Sequence, residues 1–260
     1  MPFEIDSLTV MAIAFCGIAL LYSSVGFGGG SSYLALLTLV FTSFHTIRTT
    51  ALLCNLIVVL GSCWLFYKNG RLLFRKFFPF VISSVPMAFL GALFSFSERL
   101  FFILLGGALL LASVALTIQT LNIKGNITSR SYGRATAFLL GSGVGLLSGM
   151  VGIGGGIFLA PVLHYMKWEK PVIIAALTSF FILVNSLSGI GGLLVSGSFE
   201  VNLSETMVLL GAVLIGGQIG VRLTLKRIAP RTIRLMTALL VFAVGSRVLW
   251  NNGLSNIICQ

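Results

Sequence analysis

Acidic side chains are scarce: the 260-residue chain holds six Asp and Glu, and none lies deep within an apolar run. A carboxylate proton relay through a membrane is therefore not expected. Charge as a whole is sparse, 9% of residues against about 25% in a soluble globular protein. An aqueous fold would have too little polar surface, so the soluble classes drop out. The four cysteines, Cys16, Cys54, Cys63 and Cys259, have neither zinc nor thioredoxin spacing, and histidine occurs twice. Buried thiols acting as small hydrophobes are the expectation, with no metal and no cofactor. HExxH and paired intramembrane aspartates are missing, and GSGVGLLSG (141–149) lacks the Lys-Ser/Thr ending of a nucleotide loop. An enzyme is not expected, and neither is ATP-driven transport by this chain alone. The opening MPFEIDS has no basic stretch, so the first apolar run is expected to remain as a membrane helix.

What is present is hydrophobic, 57% of residues, arranged in runs. About 20 helical residues span a hydrocarbon core of about 30 Å. The apolar runs predict an all-α integral membrane protein with ten segments: 8–25, 30–41, 47–66, 77–96, 100–121, 135–151, 156–165, 172–195, 205–225 and 233–250. The second and seventh are too short to cross and read as half-helices. The net charge of +11 sits in short hydrophilic breaks, a topology pattern rather than a nucleic-acid-binding face. If all ten segments change sides, 14 of the 17 basic residues fall on one side, and only Arg48, Arg99 and Arg247 fall on the other. The positive-inside rule makes the first side cytoplasmic and puts both termini outside.

Each short segment opens on a glycine-rich pentapeptide, GFGGG (26–30) and GIGGG (152–156), 126 positions apart. Their flanks align as well: GIALLYSSVGFGGG from Gly17 against GVGLLSGMVGIGGG from Gly143. Further on, TTALLCN (49–55) meets SFFILVN (179–185), and FLGALF (89–94) meets QIGVRL (218–223). The chain reads as one transporter domain, 1–260, made of a first repeat, 1–122, and a second, 131–260. Five segments per half make the second half enter inverted, the 5+5 pattern of secondary transporters that bind substrate at broken helices near the midplane. Both half-helices then present N-termini inside the membrane, each with partial positive charge and open N–H donors. Such a site suits a small anion. Candidate lining residues are Gly26, Gly28, Gly29, Gly30, Gly152, Gly154, Gly155 and Gly156, with the mid-helix amides Asn55 and Asn185. Thr50 and Ser179 offer hydroxyls, and Arg48 is a candidate attractor at the outer side, where most arginines only reach to headgroups. Valine at Gly29 is expected to insert normally and lose flux.

The twin GxGGG motifs, the odd-span duplication, the length and the paired asparagines resemble the TauE/SafE family of sulfite exporter-like proteins, also grouped as sulfonate uptake permeases. The resemblance covers essentially the whole chain. It implies transport of sulfite, sulfonates or other small sulfur-containing anions across the bacterial cytoplasmic (inner) membrane, by a multi-pass protein whose partners are its substrate and the bilayer. A homo-oligomer is compatible with it, and nucleic acid is not a partner. The family motifs map onto the eight glycines, and its polar positions onto Thr50, Asn55, Ser179 and Asn185. The proline that follows the second family motif is matched by Pro161, while the first half has Ala35. The family is usually described with fewer spans than ten. An anion channel, or a carrier of a different small organic anion, is the alternative.

Overall fold

The computed structural model describes residues 5–24, 26–38, 41, 43–94, 98–121, 132–225 and 230–250. Among them are ten helices and no strands: α1 (Ile5–Ser23), α2 (Gly30–Leu37), α3 (Phe44–Lys68), α4 (Phe74–Leu93), α5 (Glu98–Leu121), α6 (Arg134–Val151), α7 (Gly156–Tyr165), α8 (Pro171–Val195), α9 (Leu203–Leu225) and α10 (Pro230–Val248). Each apolar run became one helix. Five of them, α3, α4, α6, α8 and α9, are long and apolar enough to cross a membrane. α2 and α7, of eight and ten residues, are as short as expected. At 1.5 Å per residue they reach about 12 and 15 Å, at most half the hydrocarbon core.

Local chemistry sets several ends. Ser43 caps α3, its hydroxyl oxygen accepting from the Thr46 N–H, so the helix begins before the apolar run does. Pro171 opens α8, where its missing N–H would have had no partner in any case. Arg48, read from sequence as an outer-side candidate attractor where most arginines only reach to headgroups, lies in the second turn of α3 and is 3% exposed. The reason is its neighbour: α6 and the loop after it pack against this turn of α3.

Helices pack through small residues, as membranes require where apolar side chains gain little from meeting each other. On α6, Gly141, Gly145 and Gly149 stand four apart and face Phe80, Ser84 and Ala88 of α4 in the same order, so the two helices are parallel. A β-carbon at Gly145 would lie 2.6 Å from the Ser84 Cα, and one at Gly141 or Gly149 would overlap an α4 carbonyl. The glycines that failed as a nucleotide loop are therefore a packing stripe. α1 and α9 are parallel by the same test: Gly216 faces Cys16 and Ala19, and Gly220 faces Leu20 and Ser23. α9 also runs with α3, where Thr206 meets Thr50 and Gly217 meets Val58. α8 runs with α4, the Ser188 hydroxyl donating to the Val85 carbonyl at 2.6 Å and Gly192 meeting Ala92.

Two parallel triads result, α1–α3–α9 and α4–α6–α8. The turn from α3 to α4 spans only 69–73, so α4 must run back against α3 and the triads oppose each other. They join along α3 and α8. The remaining long helices, α5 and α10, pack on each other and also touch α7 and α2 respectively.

Candidate functional site

The two glycine loops lie side by side, and one buried amide joins them. Asn55, fully buried on α3, accepts through Oδ1 from the Gly30 N–H at 2.8 Å. Its Nδ2 donates to the Ile153 carbonyl at 2.8 Å. Residues 26–30 and 152–156 therefore meet over the same turn of α3. The absence of a β-carbon makes this possible: at Gly28 or Gly30 one would overlap the Asn55 amide.

Gly29 and Gly155, the residues immediately before α2 and α7, both have left-handed backbones, φ +90° and +80°. Glycine adopts this without steric cost, and it turns the chain abruptly into each short helix. Gly29 does more than line a space. A β-carbon there would lie 2.7 Å from the Tyr33 ring, at a backbone angle that valine resists. The valine substitution expected to block flux thus perturbs the loop itself first.

Around the first loop, most polar groups are paired. The Gly26 carbonyl accepts from the Thr178 hydroxyl at 3.0 Å and the Ser179 hydroxyl at 3.2 Å. Tyr22 and Ser32 hydroxyls bond at 2.7 Å, and Ser31 donates to Tyr22 at 3.3 Å. The Tyr33 hydroxyl, beside Gly29, has no partner.

The second loop is lined differently. One terminal nitrogen of Arg48 donates to the Gly149 carbonyl in the last turn of α6. The stem of Arg48 lies over Gly152, its Cγ 2.8 Å from where a β-carbon there would sit. Its Nε has no partner. Ser186, on α8, brings its hydroxyl to 3.1 Å from a β-carbon placed on Gly154. Ser148, on α6, stands at the same distance, through its Cβ, from one on Gly155. Both hydroxyls lack partners, as do both amide atoms of Asn185, which is 1% exposed. Natural structures pair the great majority of such buried groups. Arg48 is the one buried Lys or Arg among the described side chains, and no described Asp or Glu is buried.

The sequence-predicted residues thus divide. The glycines, Asn55, Ser179 and Arg48 come together at the two loops. Thr50 does not: it lies in the α3–α9 seam, 3.4 Å from the Thr206 hydroxyl. Asn185 shares α8 with Ser186 and makes no bond that mirrors Asn55. Ser148 and Ser186 were missed as loop neighbours, although Ser186 adjoins Asn185 and Ser148 lies inside the aligned glycine block. A separate groove of about 500 Å³, lined by Phe74, Arg75, Phe78, Pro79, Arg134 and Phe138, contains none of these residues. Its rings and arginines suit a lipid–water interface. Among the described residues, no three His, Cys, Asp or Glu side chains gather as metal ligands do.

Comparison with known proteins gives the family. The family model described as "Sulfite exporter TauE/SafE" matches residues 10–248. "Probable membrane transporter protein y4hK" of Sinorhizobium fredii (strain NBRC 101917 / NGR234) is 31% identical over 242 residues, covering 92% of this chain and 97% of that protein. "Probable membrane transporter protein YunE" of Bacillus subtilis (strain 168) is 23% identical over 219 residues, 77% of this chain and 79% of that protein. No solved structure matches the chain. With a match running through both glycine loops and nearly all ten helices, the chain belongs to the sulfite exporter TauE/SafE family.

Proposed function

We propose that this chain is a secondary membrane transporter of a small anion, either sulfite, an organosulfonate or another sulfur oxyanion, working by alternating access. The carrying observation is the Asn55 bridge, which holds both glycine loops, and so the starts of both half-helices, at one place beside α3. N-termini of helices supply N–H donors and partial positive charge, which favours a negative solute. The printed names of the relatives support transport as the activity, and the family description supports sulfite or a similar sulfur oxyanion as the cargo.

What supports an inverted repeat, 1–122 against 131–260, is the packing. Adding five to a helix number turns α1–α9 into α6–α4, α3–α9 into α8–α4, α2–α3 into α7–α8, and α10–α2 into α5–α7. The pairs α3–α8 and α5–α10 turn into themselves. The correspondence reaches single residues: Gly91 abuts the Leu146 carbonyl, and at the aligned positions Gly220 abuts that of Leu20. In this reading ten segments cross or enter the bacterial inner membrane, both termini lie outside, and each triad rocks against the other. The eight glycines, Asn55, Asn185, Ser179 and Arg48 frame the transport site, whether by lining it or by holding its loops, with Thr50 a seam residue beside it.

The test is uptake in proteoliposomes with sulfite, thiosulfate, sulfate and methanesulfonate. A carrier accelerates uptake of labelled solute when unlabelled solute waits on the far side. Flux without that acceleration means a channel, and no flux of any of the four overturns the proposal.

A further inference from the structure

The duplication makes two glycine loops, yet their neighbours are not duplicates. Extending the aligned block by one residue sets Arg48 opposite Thr178 and Thr49 opposite Ser179. At the first loop the neutral pair is used up. Thr178 and Ser179 both donate to the Gly26 carbonyl, and Thr178 also reaches the Ile174 and Ala175 carbonyls. At the second loop the residue opposite Thr178 is a guanidinium with an open Nε, followed on α3 by Thr49, whose hydroxyl has no partner. The two asparagines divide the same way: Asn55 is satisfied at both ends and Asn185 at neither.

Resting on the transporter reading above, we infer that the anion sits on the second loop alone, at the start of α7, with Arg48 as its counter-charge and Ser148 and Ser186 as hydroxyl donors. The first loop is the structural copy that anchors Asn55. Three observations meet here. A guanidinium 3% exposed has no buried carboxylate among the described residues, a cost that a bound anion offsets. Ser148 and Ser186, 2% and 0% exposed, approach the loop from two further helices with unspent hydroxyls. Finally, Gly154 has φ +81°, whereas Gly28 at the aligned position has no positive φ, so the second loop's backbone is turned differently from the first. One buried cation selects one net negative charge. Hydrogen sulfite and methanesulfonate fit that limit better than sulfate.

Arg48 also caps the end of α6 at Gly149, so its removal must be read for binding and not only for folding. The experiment uses the purified full chain with sulfite and methanesulfonate, measuring ligand-induced Tm shift in detergent and KM in proteoliposomes. Arg48→Gln is expected to abolish the Tm shift and raise KM by roughly thirtyfold or more, the lower end of the range for losing a buried charge partner. Arg48→Lys, which keeps the charge without the planar fork, restores part of both. Ser148→Ala and Ser186→Ala raise KM by about ten- to a hundredfold each, as lost hydrogen bonds to an ion do. If Arg48→Gln does not fold, the two serine variants carry the test. Wild-type KM and Tm shift in Arg48→Gln, or in both serine variants when Arg48→Gln is lost, overturn this inference while the transporter reading stands. A wild type that moves none of the sulfur anions overturns both.

Discussion

The first glycine loop is nearly saturated and the second is not, although their sequences align. At 26–30, hydroxyls of α8 close the Gly26 carbonyl, and Asn55 takes the first N–H of α2. At 152–156, an arginine and two serines leave buried donors open, and Asn185, next to Ser186 on α8, is unpaired as well. Both loops keep a left-handed glycine before the half-helix; on the proposed reading, the few neighbours that differ decide which loop holds the anion. Under the proposed repeat, that division would let a symmetric frame hold one asymmetric ligand.

The sharpest way to break the comparison is to replace each asparagine in turn. Asn55→Leu strands the Gly30 N–H and the Ile153 carbonyl, at about 4 kcal/mol if each unpaired buried group costs about 2. Asn185→Leu removes two unsatisfied atoms, so it leaves thermal stability unchanged or higher while lowering sulfite flux. Thermal unfolding in detergent, read beside flux, separates them. Equal destabilisation by both would erase the asymmetry. Next in size is Gly149→Val, which drives a side chain into the Ala88 carbonyl at the entrance to the second loop. It should cost about 3 kcal/mol, the upper end of overpacking. At the aligned position the first half already has Ser23, because α9 offers Gly220 there instead.

Smaller effects sharpen the picture. Thr178→Val leaves the Gly26 carbonyl to Ser179 alone and should lower stability by about 1 kcal/mol. Lys76→Ala removes the ion pair with Glu169, which joins the start of α4 to the loop before α8. With the lysine 55% exposed, less than about 0.5 kcal/mol is expected, and none at high salt. A larger loss would mean that this contact holds one side of the protein closed.

Much of this was legible in sequence. Apolar length gave the ten helices, and the consecutive glycines marked where α2 and α7 begin. Helix ends shifted by a few residues because caps such as Ser43 extend a helix beyond its apolar run. Arg48 was legible only as a candidate, since an arginine near the end of an apolar run resembles one that reaches for headgroups. Its burial depends on α6, whose distance in sequence carries no signal. Ser148 and Ser186 were invisible for a related reason: a serine in a membrane helix commonly bonds its own backbone, as Ser62 does with Val58. Only tertiary placement shows that these two do not. The stripe Gly141, Gly145 and Gly149 was read for a chemistry it lacks, when its spacing of four already spelled helix packing.

The most direct measurement is an experimental structure with selenite, a heavier analogue of sulfite, located by its anomalous scattering. The account predicts one peak within hydrogen-bond reach of the Arg48 Nε and the hydroxyls of Ser148 and Ser186, at the start of α7. A peak at the first loop instead, or selenite held only by exposed arginines such as Arg75 and Arg134, would contradict it.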